Sequence, residues 1–401
     1  MVAYSDIEQS YQIIHEDIIH TPCTLSRFIS QQSGCRVFLK RENQQFTGSF
    51  KERGALNKLL SLSSAEGRRG VISASAGNHA QGVAYHASRL QIPVTIVMPE
   101  GTPINKVNST SRYGARVIMF GSGYDDAYQE AIRIQQEEGL NFIHAFDDEK
   151  IISGQGTIGL EIWRSGIEPD AVIVPIGGGG LISGISIAVK EKYPHCKIIG
   201  VQAKNAPSMK YSKDRGEIVS MPLSPTMADG IAVKNVGQLT FPLIQRYVDE
   251  IVLVEESEIA ASVLTLLEVE KTLVEGAGAS TLAALNYHDL HLQGKRVVLV
   301  LSGGNIDSNL LSKIIERGLV KDGRMAKLRI ELQDSPGQLA KVSTIVATLR
   351  ANVIEVYHNR SFLNTPMGKT YLDITLETRG QDHVQEIISA LNLENYNVVT
   401  L

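Results

Sequence analysis

Ala171-Val172-Ile173-Val174-Pro175-Ile176-Gly177-Gly178-Gly179-Gly180-Leu181 joins a short β-branched run to four consecutive glycines. The run reads as a strand covered on both faces, as in a parallel sheet. Leu181, Ile182, Ile185 and Val189 then recur at helical spacing. Four glycines exceed what a strand-to-helix turn requires. With no Cβ in the way, backbone N–H groups can close on an anion, and the helix N-terminus adds partial positive charge. The segment therefore predicts a phosphate cradle in an α/β fold. A P-loop would end in Gly-Lys-Ser/Thr, which is absent. A dinucleotide fold asks for an acidic residue after the next strand, but Ile198 to Val201 is followed by Gln202, Ala203 and Lys204. A monophosphate ester fits better than a dinucleotide or ATP.

Further apolar runs surround this one. Val37-Phe38-Leu39, Val94 to Val97, Val117-Ile118-Met119, Ile251 to Val254 and Val297 to Leu301 all read as buried strands. Segments such as Asp125 to Glu138 between them have helix length and polarity. So many strands predict two α/β domains. Near Leu319 the pattern changes. Residues 321–326 read as a linker, and a βαββαβ unit of the ferredoxin-like kind follows over 327–401. Its strands are Lys327–Leu332, Val353–His358, Thr370–Leu376 and Asn397–Leu401. Its first helix carries Leu339, Val342, Val346 and Leu349, and its second carries Val384, Ile387, Ile388 and Leu391.

Composition excludes several classes. The chain has 401 residues, a formal charge of −4, 43% hydrophobic and 20% charged residues. That charge gives no footprint for nucleic acid or an anionic membrane. No apolar run has membrane-span length, and Met1 to Gln12 lacks the regions of a signal peptide. The three cysteines, Cys23, Cys35 and Cys196, lack metal-ligand spacing. The expected setting is a reduced, cytoplasmic one.

Three other segments carry chemistry. In Ser49-Phe50-Lys51-Glu52-Arg53-Gly54, Lys51 stands after an apolar residue at the foot of a predicted helix. Burial there would lower its pKa and free it for a Schiff base. Ser73-Ala74-Ser75-Ala76-Gly77-Asn78-His79-Ala80-Gln81-Gly82 follows the short strand Val71-Ile72. Small and polar residues at a helix start suggest a carboxylate cradle, or a helix capped by Ser75 or Asn78. Asn78 has a donor and an acceptor and can read a phenolic oxygen. Ser302, in Val300-Leu301-Ser302-Gly303-Gly304-Asn305, ends the last long strand. Ligands bind at such strand ends in open α/β sheets, and a hydroxyl can meet a ring nitrogen, although in isolation the segment reads as an ordinary strand-end turn.

A Schiff-base lysine, a monophosphate cradle, a carboxylate loop and a hydroxyl for a heterocycle together match what pyridoxal 5'-phosphate requires. On these residues the chain resembles the fold-type II (tryptophan synthase beta-like) pyridoxal-phosphate enzymes. Among them it is similar to threonine ammonia-lyases (threonine dehydratases) with a C-terminal ACT domain. The resemblance implies a catalytic region over 1–320, with a small subdomain at about 48–148 inserted in a larger one, and an ACT regulatory domain over 327–401. It implies that Lys51 holds the cofactor and removes the Cα proton. Phe50 packs beside the ring and Asn78 bonds its phenolic oxygen. Gly177, Gly178, Gly179, Gly180 and Leu181 hold the phosphate, and Ser302 faces the pyridine nitrogen. Ser75, Gly77, Asn78 and His79 receive the substrate carboxylate.

The implied reaction converts L-threonine to 2-oxobutanoate and ammonia, with L-serine as a second substrate. A serine racemase-like enzyme would carry Ser where Ala76 stands, and a cysteine synthase-like one Thr where His79 stands. A serine ammonia-lyase and an amino-acid sensor on an inactive scaffold are the other readings. In the ACT unit, Gly337, Gln338 and Asn352 are the candidate effector residues, for a small amino acid. Tyr357, His358 and Arg360 are given no ligand role. Thr226 to Gly230 resembles a segment near a cation site, but Asp229 reads equally as a turn residue, and no metal ligand is assigned. The resemblance implies a homodimer or homotetramer without nucleic-acid or membrane partners.

Overall fold

The buried runs become strands in a computed structural model that describes residues 1–359 and 368–401. In chain order the first ten are β1 (Cys23–Leu25), β2 (Arg36–Lys40), β3 (Val71–Ala74), β4 (Val94–Met98), β5 (Arg116–Met119), β6 (Asn141–Phe142), β7 (Ala171–Pro175), β8 (Lys197–Ala203), β9 (Glu250–Val254) and β10 (Arg296–Val300). Leu301 falls just past β10. One sheet has the order β1-β2-β10-β7-β8-β9. Its strands are parallel apart from the antiparallel edge β1. A second, wholly parallel sheet has the order β5-β4-β3-β6. Its residues all lie between β2 and β7 of the first sheet.

The chain divides into two compact units, Met1–Asp307 and Ser308–Leu401. The helix Ser308–Lys321, read from sequence as the end of the catalytic region, falls in the second unit. Only Asp322, Gly323 and Arg324 separate it from the next strand, a tighter turn than the linker expected over 321–326. The second unit has strands β11 (Met325–Gln333), β12 (Asn352–Asn359), β13 (Lys369–Glu377) and β14 (Asn397–Thr400). They form an antiparallel sheet in the order β12-β13-β11-β14. Val342 and Val346 carry the buried face of the helix Gln338–Thr348, whereas Leu339 is 40% exposed and Leu349 is its C-cap. Arg360 lies outside the described residues.

Within the first unit, the helix Glu149–Arg164 sets the spacing of its neighbours. A Cβ on Gly154 would lie 2.7 Å from the Gly54 Cα, and one on Gly184 would lie 2.3 Å from the Ile152 carbonyl. Backbones this close need glycine on both sides. The helix headed by Lys51 and the helix headed by the glycine loop are thereby drawn against one scaffold.

Behind Lys51 lies a buried ionic group. Arg53 reaches Glu42 at 2.7 Å and Glu161 at 2.6 Å, and Lys40 pairs with both carboxylates. Burial alone would raise Glu42, but Arg53 and Lys40 outweigh it and hold the carboxyl down to about 2. Two cations and two anions balance, which is what makes their burial tolerable.

Candidate active site

The ends of β2, β3, β7 and β10 converge on one place, as parallel α/β topology directs. After β2 the chain turns back so that Ser49 bridges to Gly303. The Phe50 N–H donates to the Ser302 carbonyl at 3.0 Å, and the Gly304 N–H to the Gly48 carbonyl at 2.9 Å. These bonds stitch the foot of the helix Lys51–Leu60 to the loop after β10. Ser302 is buried there.

The Lys51 Nζ donates to the Ala145 carbonyl at 2.8 Å and lies 5.2 Å from the centre of the Phe50 ring. Burial pulls its pKa down to about 8, with Glu275 partly opposing. The neutral amine, the form a nucleophile needs, is thus far more populated near pH 7 than in an ordinary lysine.

The glycine loop follows β7. Gly179 has φ of +100° and is the N-cap of the helix Gly180–Lys192, with no side chain capping it. The Gly178 carbonyl is turned outward to accept from Thr240 Oγ1 at 2.6 Å. A Cβ on Gly178 would fall 2.3 Å from the Phe146 ring, and one on Gly180 would fall 2.8 Å from the Phe146 carbonyl. Uncapped N–H groups at a helix start, on a loop with no room for side chains, fit a phosphate ester.

The segment after β3 behaves in the same way. Gly77 is the N-cap of the helix Asn78–Arg89, again without a side-chain cap. Neither Ser75 nor Asn78 caps it: the Ser75 Oγ accepts from the Gly77 N–H at 3.2 Å. The first N–H groups of this helix are therefore available to a carboxylate. The His79 ring is not. It is buried, its Nε2 sits 3.1 Å from the Ile143 carbonyl, and burial and Lys51 push its pKa down to about 3. Any part His79 takes in binding falls to its backbone N–H.

The sequence reading missed several residues. The Asn78 Nδ2 donates to both oxygens of Glu275, at 2.8 and 3.0 Å. Asn305 Nδ2 donates to the Asn78 Oδ1 at 2.5 Å. Asp147 accepts from the backbone N–H groups of Gln238 and Leu239 at 2.9 and 2.8 Å. It thus caps the helix Thr240–Tyr247, whose Thr240 holds Gly178. Glu275 stands at the N-cap of the helix Gly276–Tyr287 but makes no side-chain cap there, and its residue type gives no cap signal in the sequence. The Asp147 contact is long-range and had none.

Asp229 pairs with Lys106 at 2.6 Å. In the second unit, Gly337 is the N-cap of its helix with φ of +92°. The Gln338 side chain is engaged by Ser335 and Tyr396, and Asn352 donates to Glu377 at 3.3 Å.

A family model described as "Pyridoxal-phosphate dependent enzyme" matches residues 14–303. The chain belongs to the pyridoxal-phosphate-dependent enzymes. It is 47% identical over 398 residues to an L-threonine ammonia-lyase of Thermotoga maritima, covering 99% of each chain. Among solved structures, threonine deaminase isoform 2 of Solanum lycopersicum aligns with a TM-score of 0.74 and 38% identity, over 78% of this chain and 92% of that one. Maize serine racemase aligns with a TM-score of 0.75 and 33% identity, over 80% and 98%. The pyridoxal-phosphate family explains the site: a buried lysine of lowered pKa, a side-chain-free cradle and a buried hydroxyl fit that cofactor.

Proposed function

We propose that this protein is a threonine ammonia-lyase, which eliminates the β-hydroxyl of L-threonine and releases 2-oxobutanoate and ammonia, with L-serine as a slower substrate. The single observation that carries this reading is the 47% identity to an L-threonine ammonia-lyase across 99% of both chains. The residue roles agree with it. Lys51, Phe50, Asn78, Ser302 and Gly177 to Leu181 hold the cofactor. The N–H groups around Ser75 to His79 hold the substrate carboxylate.

When bound, pyridoxal phosphate supplies the electron sink that makes the substrate Cα acidic. The neutral Lys51 amine removes the Cα proton, and the Ala145 carbonyl aims its Nζ. The Asn78–Arg89 helix start fixes the carboxylate so that the Cα–H bond faces Lys51. Ala76 has no proton to deliver to the opposite face of Cα, which separates this chain from a serine racemase despite the shared fold. One methyl group separates threonine from serine and supports discrimination of only about 1–3 kcal/mol.

Residues 327–401 act as a regulatory ACT domain, in this reading, with Gly337, Gln338 and Asn352 near its amino-acid effector and a homodimer or homotetramer as the working form in the cytoplasm. The test is 2-oxo acid formation from L-threonine, L-serine and D-serine, with and without candidate amino-acid effectors. Turnover of L-threonine that is lost in Lys51→Ala is expected. Interconversion of serine enantiomers without 2-oxo acid would replace this reading by racemisation.

A further inference from the structure

The Thr47 carbonyl can only accept a hydrogen bond. Asn305 donates to it from Nδ2 at 2.8 Å, so the orientation of the Asn305 amide is fixed. The other proton of that nitrogen goes to the Asn78 Oδ1 at 2.5 Å. Asn78 must then present its own nitrogen to the Glu275 carboxylate, as the distances of 2.8 and 3.0 Å show. An amide nitrogen carries two protons. One serves Glu275 and the other remains for a ligand. The backbone of Glu275 is anchored, since its N–H donates to the Gly303 carbonyl at 3.0 Å. A Cβ on Gly303 would lie 2.4 Å from a Glu275 carboxylate oxygen and would displace that side chain.

We infer that Asn305 and Glu275 are positioning residues that hold the NH2 edge of Asn78, not its carbonyl, toward the phenolic oxygen of the cofactor. The inference rests on the proposed role of Asn78 at that oxygen. Protonation of Glu275 sets how strongly the Asn78 nitrogen is shared. The charges of Asp229, of Lys106 in the helix Ile104–Ser111 and of Lys51 act on Glu275. Burial pushes this carboxyl up to about 7, Asp229 adds to the rise, and the Asn78 bond, Lys106 and Lys51 oppose it. Its charge therefore changes across neutral pH. The orientation of Asn78 does not, because Asn305 fixes it independently.

The test uses the holoenzyme and reads the absorption band of bound pyridoxal phosphate against pH, together with the cofactor dissociation constant. Two nearly isosteric variants, Asn305→Asp and Glu275→Gln, are made in the wild-type and in the Asn78→Ala background. Asn305→Asp turns the Asn78 amide over, so that oxygen meets oxygen. Cofactor affinity is expected to fall roughly tenfold or more, as for a lost hydrogen bond to a charged group. Glu275→Gln is expected to keep the cofactor but to abolish the shift of the band across neutral pH. In the Asn78→Ala background both changes become silent, which a merely structural role would not produce. If one variant does not fold, the other makes the same comparison. Wild-type affinity and pH response in both variants would overturn the inference alone, as would equal effects with and without Asn78. Failure of the wild-type protein to take up pyridoxal phosphate would overturn the site reading and the inference together.

Discussion

The Phe50 N–H donates to the Ser302 carbonyl at 3.0 Å, which ties the foot of the helix that begins at Lys51 to the loop after β10. Two loops more than two hundred residues apart are thus held at hydrogen-bonding distance.

Gly303 sits in that junction. In Gly303→Ala the new Cβ would stand 2.4 Å from Glu275 and 3.1 Å from the Asn78 nitrogen. Misplacement of about 1 Å costs roughly a hundredfold in rate, and a loss of that order in 2-oxo acid formation is expected. Far-UV circular dichroism should remain that of the wild type.

Ser302→Asp tests the ring-nitrogen contact. A serine hydroxyl cannot hold a pyridinium charged, whereas an aspartate can, and a charged ring is a stronger electron sink. The variant should show more transamination per elimination event. An unchanged product ratio would remove Ser302 from this role.

The Lys51 amine has its pKa lowered to about 8 by burial. Its neutral fraction, and with it the rate at which the apoenzyme takes up pyridoxal phosphate, should rise with pH through about 8 and then level off. Stopped-flow absorbance on apoenzyme measures this. Lys51→Ala should develop no Schiff-base band at any pH.

Where helices touch through glycine, an added methyl group has no space. Gly184→Ala would place its Cβ 2.3 Å from the Ile152 carbonyl and 2.5 Å from the Gly156 nitrogen. Overpacking of this kind costs about 1–3 kcal/mol. A lowered thermal midpoint is expected in the melt of the holoenzyme.

Glu42→Gln should destabilise the protein at neutral pH, because it strips one anion from the buried group formed with Lys40, Arg53 and Glu161. Loss of one partner of such a pair costs about 3–5 kcal/mol. The wild-type carboxyl is held down to about 2 from an ordinary value of 4.5. Its contribution is complete above 4.5 and disappears as the pH falls through 2. Denaturant midpoints of variant and wild type should therefore converge as the solution is acidified through that window.

The sequence was most legible where a side chain's neighbours along the chain decide its fate. Continuous apolar runs such as Ala171 to Val174 read as covered strands and are strands, and four glycines at a helix start read as a phosphate cradle rather than an ordinary turn. β1 and β6, three and two residues long, are too short for any periodicity to show. Lys40, Glu42, Arg53 and Glu161 read as surface charges by residue type, and only folding reveals that they neutralise one another inside. Gly154 and Gly156 would be poor helix residues by propensity, yet the close helix crossings require them. Glu275 and Asn305 act through partners that topology, not spacing, supplies. The resemblance assigns His79 to the substrate carboxylate, but its ring is buried in the core.

The bridge between Ser49 and Gly303 has a consequence for biosynthesis. A ribosome delivers the lysine early and the strand that completes its pocket some two hundred and fifty residues later, counted roughly from the chain order. Until that strand emerges the site around the lysine is incomplete, so a ligand that binds the folded site cannot stabilise a chain that stops short of Ser302.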